Sequence, residues 1–169
     1  LAVEVGDAAV PALQKRMIRM AREANKLTIT ATQMMESMIA SPVPTRAEVS
    51  DVANAVLDGT DAVMLSAESA SGQYPVEAVA MMDRIISHTE GHKLYRSIID
   101  ALQPPPEHSV PHAVAAAAAD VAEQVEAAAI VAFTASGTTA LRIARKRPRV
   151  PLFSISPEAG TARRLALLW

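Results

Sequence analysis

The sequence predicts an α/β protein made of two successive strand–helix units, and three observations carry that expectation. Short apolar runs at 27–31, 62–65, 129–133 and 152–155 read as buried strands. Amphipathic or alanine-rich helical stretches separate them. The triplet Pro104, Pro105 and Pro106 marks a boundary in the middle of the pattern.

The 169 residues suffice for one domain of ordinary size or for parts of two. Half of them are apolar and 20% are charged, while aromatics make up only 3%, so alanine and methionine fill much of the apolar quota. The formal net charge is -2 and the basic residues are dispersed or sit at helix ends. No electrostatic footprint for nucleic acid or an anionic membrane results, and a small-molecule partner is expected. The lack of cysteine excludes disulfides and thiolate chemistry and fits a reducing cytoplasm. No apolar run reaches the roughly 18 residues of a membrane span, and no charged start leads into an apolar stretch, so a soluble, untargeted, cytoplasmic chain is expected. The chain opens on Leu1 rather than methionine, and 165–169 read as an interrupted apolar helix, so both ends are expected to be cut.

From the N-terminus, Val10, Leu13, Met17 and Met20 recur at the spacing of an amphipathic helix over 7–25, with Pro11 tolerable in its first turn. The strands at 27–31 and 62–65 are joined by roughly 30 residues that include a helix, which predicts parallel pairing through a right-handed crossover. Thr45 and Glu48 form a T-x-x-E capping pattern for that helix, Val49, Val52, Val56 and Leu57 give its stripe, and Gly59 ends it. After a loop at 71–74, Pro75 opens another helix, with Val79, Met82, Ile85 and Ile86 on its face. A linker is expected at 91–108. Beyond it come a helix over 111–125, a strand at 129–133, a helix over 137–147 and a strand at 152–155.

Parallel strands present ligands at their C-terminal ends, so Thr32 is a candidate contact, or else the N-cap of a short helix beginning at Gln33. Met34, Met35 and Met38 read as core. Ser66 and Glu68 lie two apart and point the same way if the strand persists, giving a hydroxyl and a carboxylate that could share water with Thr32. Alternatively, Ser66 bonds local backbone and Glu68 is solvated. Glu48, Asp51, Asn54 and Asp58 read mostly as caps or a wet helix face. Thr134, Ser136, Gly137, Thr138 and Thr139 join a strand to a helix N-terminus, a place that favours phosphate, although an ordinary capped turn fits as well because no G-x-x-x-x-G-K pattern is present. Arg142, Arg145, Lys146 and Arg147 read as a solvated basic face at a helix C-terminus. His88, His92, His108 and His112 read as solvated linker histidines, with no metal site among them.

The strings ITATQMMESM (29–38), PTRAEVSDVANAVLDGTDAVMLSAES (44–69) and GQYPVEAV (72–79) closely resemble the pyruvate kinase family, and FTASGTTA (133–140) with ARKRPRVPLFSIS (144–156) resemble its C-terminal domain. The resemblance implies the last part of a (β/α)8 TIM barrel over 1–90, a linker over 91–108, and part of an α/β C-terminal domain with a parallel-rich sheet over 109–169. It implies an enzyme that moves a phosphoryl group from phosphoenolpyruvate to ADP with Mg2+ and often K+, and a homotetramer. On that map 27–31 and 62–65 are barrel strands seven and eight, and Leu1 follows the family's metal-binding aspartate.

Thr32 then matches the threonine beside the substrate carboxylate. A threonine hydroxyl is too weak an acid to protonate an enolate alone, so a water-orienting relay is its implied role. Ser66 and Glu68 match the S-G-E-T motif, read here as Ser66, Ala67, Glu68, Ser69, and extend that relay. The segment 45–48 resembles one near a subunit interface. The turn at 134–139 resembles the grip on an effector sugar phosphate or AMP, although Thr138 replaces a common arginine. The family's lysine, magnesium-binding acids and phosphate-binding arginine match nothing in this chain, so by resemblance the chain alone is inactive, unstable or self-associating. The rival expectations are an effector-binding piece without catalysis and a purely structural remnant.

Overall fold

The computed structural model describes residues 2–31, 33–104 and 107–168, so Thr32, Pro105, Pro106 and both terminal residues lie outside the described residues. The chain forms two compact units, one of Leu1–Met20 with Thr28–Leu102 and the other of Ala21–Leu27 with Gln103–Trp169.

In the first unit a helical turn, α1 (Ala2–Val5), and a 3-10 turn (Asp7–Ala9) lead into α2 (Val10–Glu23), whose residues from Ala21 on belong to the second unit. The expected stripe on α2 is displaced: Ile18 is buried, whereas Met17 and Met20 are exposed. Strands β1 (Ile29–Ala31) and β2 (Ala62–Met64) pair in parallel, Thr30 opposite Val63, as the long connection required. That connection holds a 3-10 turn (Glu36–Ile39) and α3 (Arg46–Leu57), whose capping box between Thr45 and Glu48 is fully formed. After β2 come α4 (Ala67–Ala70), α5 (Pro75–Glu90) with proline in its first turn, and α6 (Lys93–Ala101).

Helix α6 lies inside the stretch expected to be linker; it packs on α3 and α5 and buries Tyr95 and Ile99. His92 caps it, Nδ1 accepting from the Leu94 N–H at 3.3 Å. The face that α5 buries carries Ala78 with Met82 and Ile85, leaving Val79 exposed. These residues join Met34, Met35, Met38, Val52 and Ala55 in one core cluster. Flexible thioethers suit its irregular gaps. At the other end of the strands, Asp61 Oδ2 accepts from the backbone and hydroxyl of Thr28 at 2.9 and 3.1 Å, and buried Thr30 donates to Thr60 at 3.1 Å.

The second unit runs α7 (Val110–Gln124), β3 (Ile130–Phe133), α8 (Thr138–Ala144), β4 (Leu152–Ile155) and α9 (Ala159–Leu165). β3 and β4 are parallel, with Val131 opposite Phe153 and Phe133 opposite Ile155. Ile130 and Ala132 point into a cluster with Ala115, Ala122, Ala140 and Ile143. Small residues there let the helices approach the strands closely. Period-two alternation puts Val131, Phe133, Phe153 and Ile155 on the opposite face, where Phe133 is 72% exposed. Among the described residues no helix is long and apolar enough to cross a membrane.

Candidate functional site at the strand ends

Both C-terminal strand ends of the first unit turn sharply. Beyond β1, Gln33 takes a left-handed φ of 53, and no helix begins there; the 3-10 turn starts at Glu36, so the expected short helix at Gln33 does not form. Thr32, the leading sequence candidate, lies outside the described residues. Beyond β2 the strand does not persist: Ser66 departs from it at φ -120, ψ -104 and stands ahead of α4.

Glu68 therefore does not share a strand face with Ser66. Its carboxylate turns back instead, Oε2 accepting from the Ser66 N–H at 2.7 Å and Oε1 from the Met35 N–H at 3.3 Å. The side chain is 3% exposed, which overturns the expectation of a solvated glutamate. One buried carboxylate thus ties the loop after β1 to the loop after β2, while Ser66 remains exposed. Two charge-assisted bonds satisfy it in a place where an unmet carboxylate could not stay. Gly72 completes the fit, because a Cβ there would stand 2.6 Å from the Glu68 carbonyl oxygen.

A second carboxylate braces the same crossover. Glu48 accepts from the Thr45 N–H at 2.7 Å and hydroxyl at 2.8 Å, and from the Ser37 N–H at 2.7 Å. Partial burial pushes its carboxyl up, but the combined hydrogen bonds of Ser37 and Thr45 outweigh that and hold it below the ordinary 4.5. Asp58, expected on a wet face, pairs with Lys15.

In the second unit, Gly137 opens α8 with φ 90. The buried Thr134 hydroxyl accepts from the Gly137 N–H at 3.0 Å, and the hydroxyls of Ser136 and Thr138 lie 2.8 Å apart. Thr139 follows in the first turn of α8. Helix α8 ends at Ala144, short of the expected 147, and Arg147 takes φ 51 and is only 2% exposed. The solvated basic face is thus a correction: Arg142, Arg145 and Lys146 line a cavity of about 450 Å³. His112 is likewise no solvated linker residue; it sits on α7, 2.9 Å from Glu107 and 2.7 Å from the Ser109 hydroxyl. Among the described residues no group of three or more His, Cys, Asp or Glu could hold a metal ion.

The sequence did not reveal the Glu68 bridge, because its distant partner is a backbone N–H, which any residue supplies. The burial of Arg147 also went unseen, since a run of basic residues looks the same whether wet or dry.

Parallel strands whose turns are locked at their C-terminal ends define an α/β protein of the class that binds ligands at strand ends. The family model for the pyruvate kinase barrel domain matches residues 1–79, and that for the pyruvate kinase alpha/beta domain matches 112–169. Over its whole length the chain is 57% identical to a pyruvate kinase of Agrobacterium vitis, covering 36% of that protein, and 52% identical to one of Methylorubrum extorquens, covering 35%. A crystal structure of a pyruvate kinase from Cryptosporidium parvum is similar at a TM-score of 0.92 and 40% identity, over 99% of this chain and 35% of the other. The chain belongs to the pyruvate kinase family, and it spans about a third of the length of these relatives.

Proposed function

We propose that this chain is part of a pyruvate kinase, in which phosphoenolpyruvate passes its phosphoryl group to ADP. The bond from phosphorus to the enol oxygen breaks, a bond to the terminal ADP oxygen forms, and the enolate carbon takes a proton to give pyruvate. The observation that carries this reading is the unbroken 169-residue match to relatives named pyruvate kinase. On it, 1–90 derive from the barrel, its strands seven and eight being β1 and β2, and 109–169 from the C-terminal domain. A cytoplasmic homotetramer using Mg2+ and K+ belongs to the same proposal; among the described residues no group of three or more His, Cys, Asp or Glu offers such ions a site.

The contribution of this chain is to the protonation side. Thr32 orients the water that delivers the proton. Glu68 acts on it at one remove, as a positioning residue: its bond to the Met35 N–H sets the path of 33–35, next to Thr32, and its bond to the Ser66 N–H anchors the carboxylate. Ser66, exposed at the same turn, extends the water chain. At the turn formed by Thr134, Ser136, Gly137, Thr138 and Thr139, a sugar phosphate or AMP would have to displace the Ser136–Thr138 bond, so effector binding is the weaker reading.

The test is pyruvate formation from phosphoenolpyruvate and ADP by the intact protein, together with solvent exchange of the pyruvate methyl protons. Thr32→Ala should slow exchange far more than it raises KM for phosphoenolpyruvate, while the 169-residue polypeptide alone should show no turnover. An intact protein that forms no pyruvate refutes the activity. Unchanged exchange in Thr32→Ala refutes the role of Thr32 alone.

A further inference from the structure

We propose that the second unit binds a small organic anion that also carries a hydroxyl or amino group, in the cavity between α7, α8 and the segment ahead of α7. Two residues that line this space each carry a buried polar atom without a hydrogen-bond partner among the described residues, one of each kind: the donor Arg142 Nε and the acceptor Gln103 Oε1. The Gln103 amide is oriented by its other end, since Nε2 donates to the Lys146 carbonyl at 3.0 Å. A buried donor or acceptor left unmet is destabilising, so a ligand supplying both partners gains from both.

Charge points the same way. Glu107 is answered by His112 at 2.9 Å and by Arg145 at 4.0 Å, and Arg145 also donates to Asn25 Oδ1 at 3.0 Å. Arg142 and Lys146 make no side-chain hydrogen bond or ion pair with any described residue, so two cations are left in surplus on one wall. Their position in and after the last turn of α8 suits the helix dipole, which accounts for the residue types but not for a buried guanidinium nitrogen without an acceptor. Water can meet a single polar atom; it cannot neutralise two cations facing one cavity. Guanidinium and ammonium together recognise carboxylate or phosphate, and the Gln103 carbonyl then takes a hydrogen from the ligand. The volume of about 450 Å³ suits a metabolite-sized molecule, and Ala113 and Ala116 keep it open.

The experiment is calorimetry on the intact protein with two pairs of probes, acetate against glycolate and methyl phosphate against glycerol 1-phosphate. The better pair identifies the anion as carboxylate or phosphate, and within it the hydroxylated member should bind more tightly. Arg142→Gln and Lys146→Gln should each weaken binding by about tenfold, the scale of one charge-assisted hydrogen bond, and Gln103→Leu should erase the preference for the hydroxylated probe. Ala116→Leu, which fills the space and leaves the charges alone, should abolish binding; it decides the matter if Arg142→Gln fails to fold. Absence of saturable binding by any probe at millimolar concentration, or binding unchanged by Arg142→Gln, Lys146→Gln and Ala116→Leu, overturns the proposal.

Discussion

The turns that follow β2 and β3 solve one problem in opposite ways. Each takes the chain from a strand into a helix and must satisfy backbone N–H groups on the way. After β2 the acceptor is a buried carboxylate reaching back across the sequence, with Glu68 holding the N–H groups of both Ser66 and Met35. After β3 the acceptors are hydroxyls within three residues, as in the bond from the Gly137 N–H to Thr134. The first device fastens two loops to each other; the second shapes only its own. Fixing one loop against another is what a site assembled from several strand ends requires.

Breaking the long-range device should cost most. Glu68→Ala strands two N–H donors and leaves a hole, an expected loss of about 3 kcal/mol in denaturant unfolding of the intact protein, with Glu68→Gln losing less because one acceptor survives. Hydrogen exchange should sharpen the contrast: in Glu68→Ala the Met35 amide loses protection along with Ser66. Thr134→Val, nearly the same shape without the acceptor, should cost about 1 kcal/mol and leave exchange beyond 134–139 unaltered.

The smallest effect belongs to Glu48 and depends on pH. Its folded carboxyl titrates below the ordinary 4.5, so the stability it contributes is complete above that value and disappears as pH falls through the lower folded one. Unfolding midpoints of the wild type and of Glu48→Gln should therefore differ at pH 7 and converge as the pH falls through the folded value. A gap that is constant across that range would show that shape rather than charge matters at this position.

Much of the fold could be read from local signals. The capping pattern at Thr45 and Glu48, the proline opening α5 and the apolar runs of the strands were all visible, because each depends on neighbours along the chain. Strand pairing followed from the length of the crossover. Where reading failed, distance in sequence was the cause. Ile18 rather than Met17 faces inward, and α6, which packs on α3 as well as on the adjacent α5, forms in a stretch whose polar composition suggested linker. At the candidate site, the residue types were legible and their geometry was not: Ser66 and Glu68 were expected to point the same way if the strand persisted, and the start of α4 separates them instead.

The outward face of β3 and β4 has a practical consequence. Val131, Phe133, Phe153 and Ile155 form a contiguous greasy stripe on two short strands, and their side chains are more than half exposed. Handled as an isolated polypeptide, the chain should behave as a colloid with an adhesive side: it should light up hydrophobic dyes, tolerate dilution better than concentration, and come out of solution early as ammonium sulfate is added. Exchanging the two phenylalanines for threonine would keep the strands and remove the adhesion.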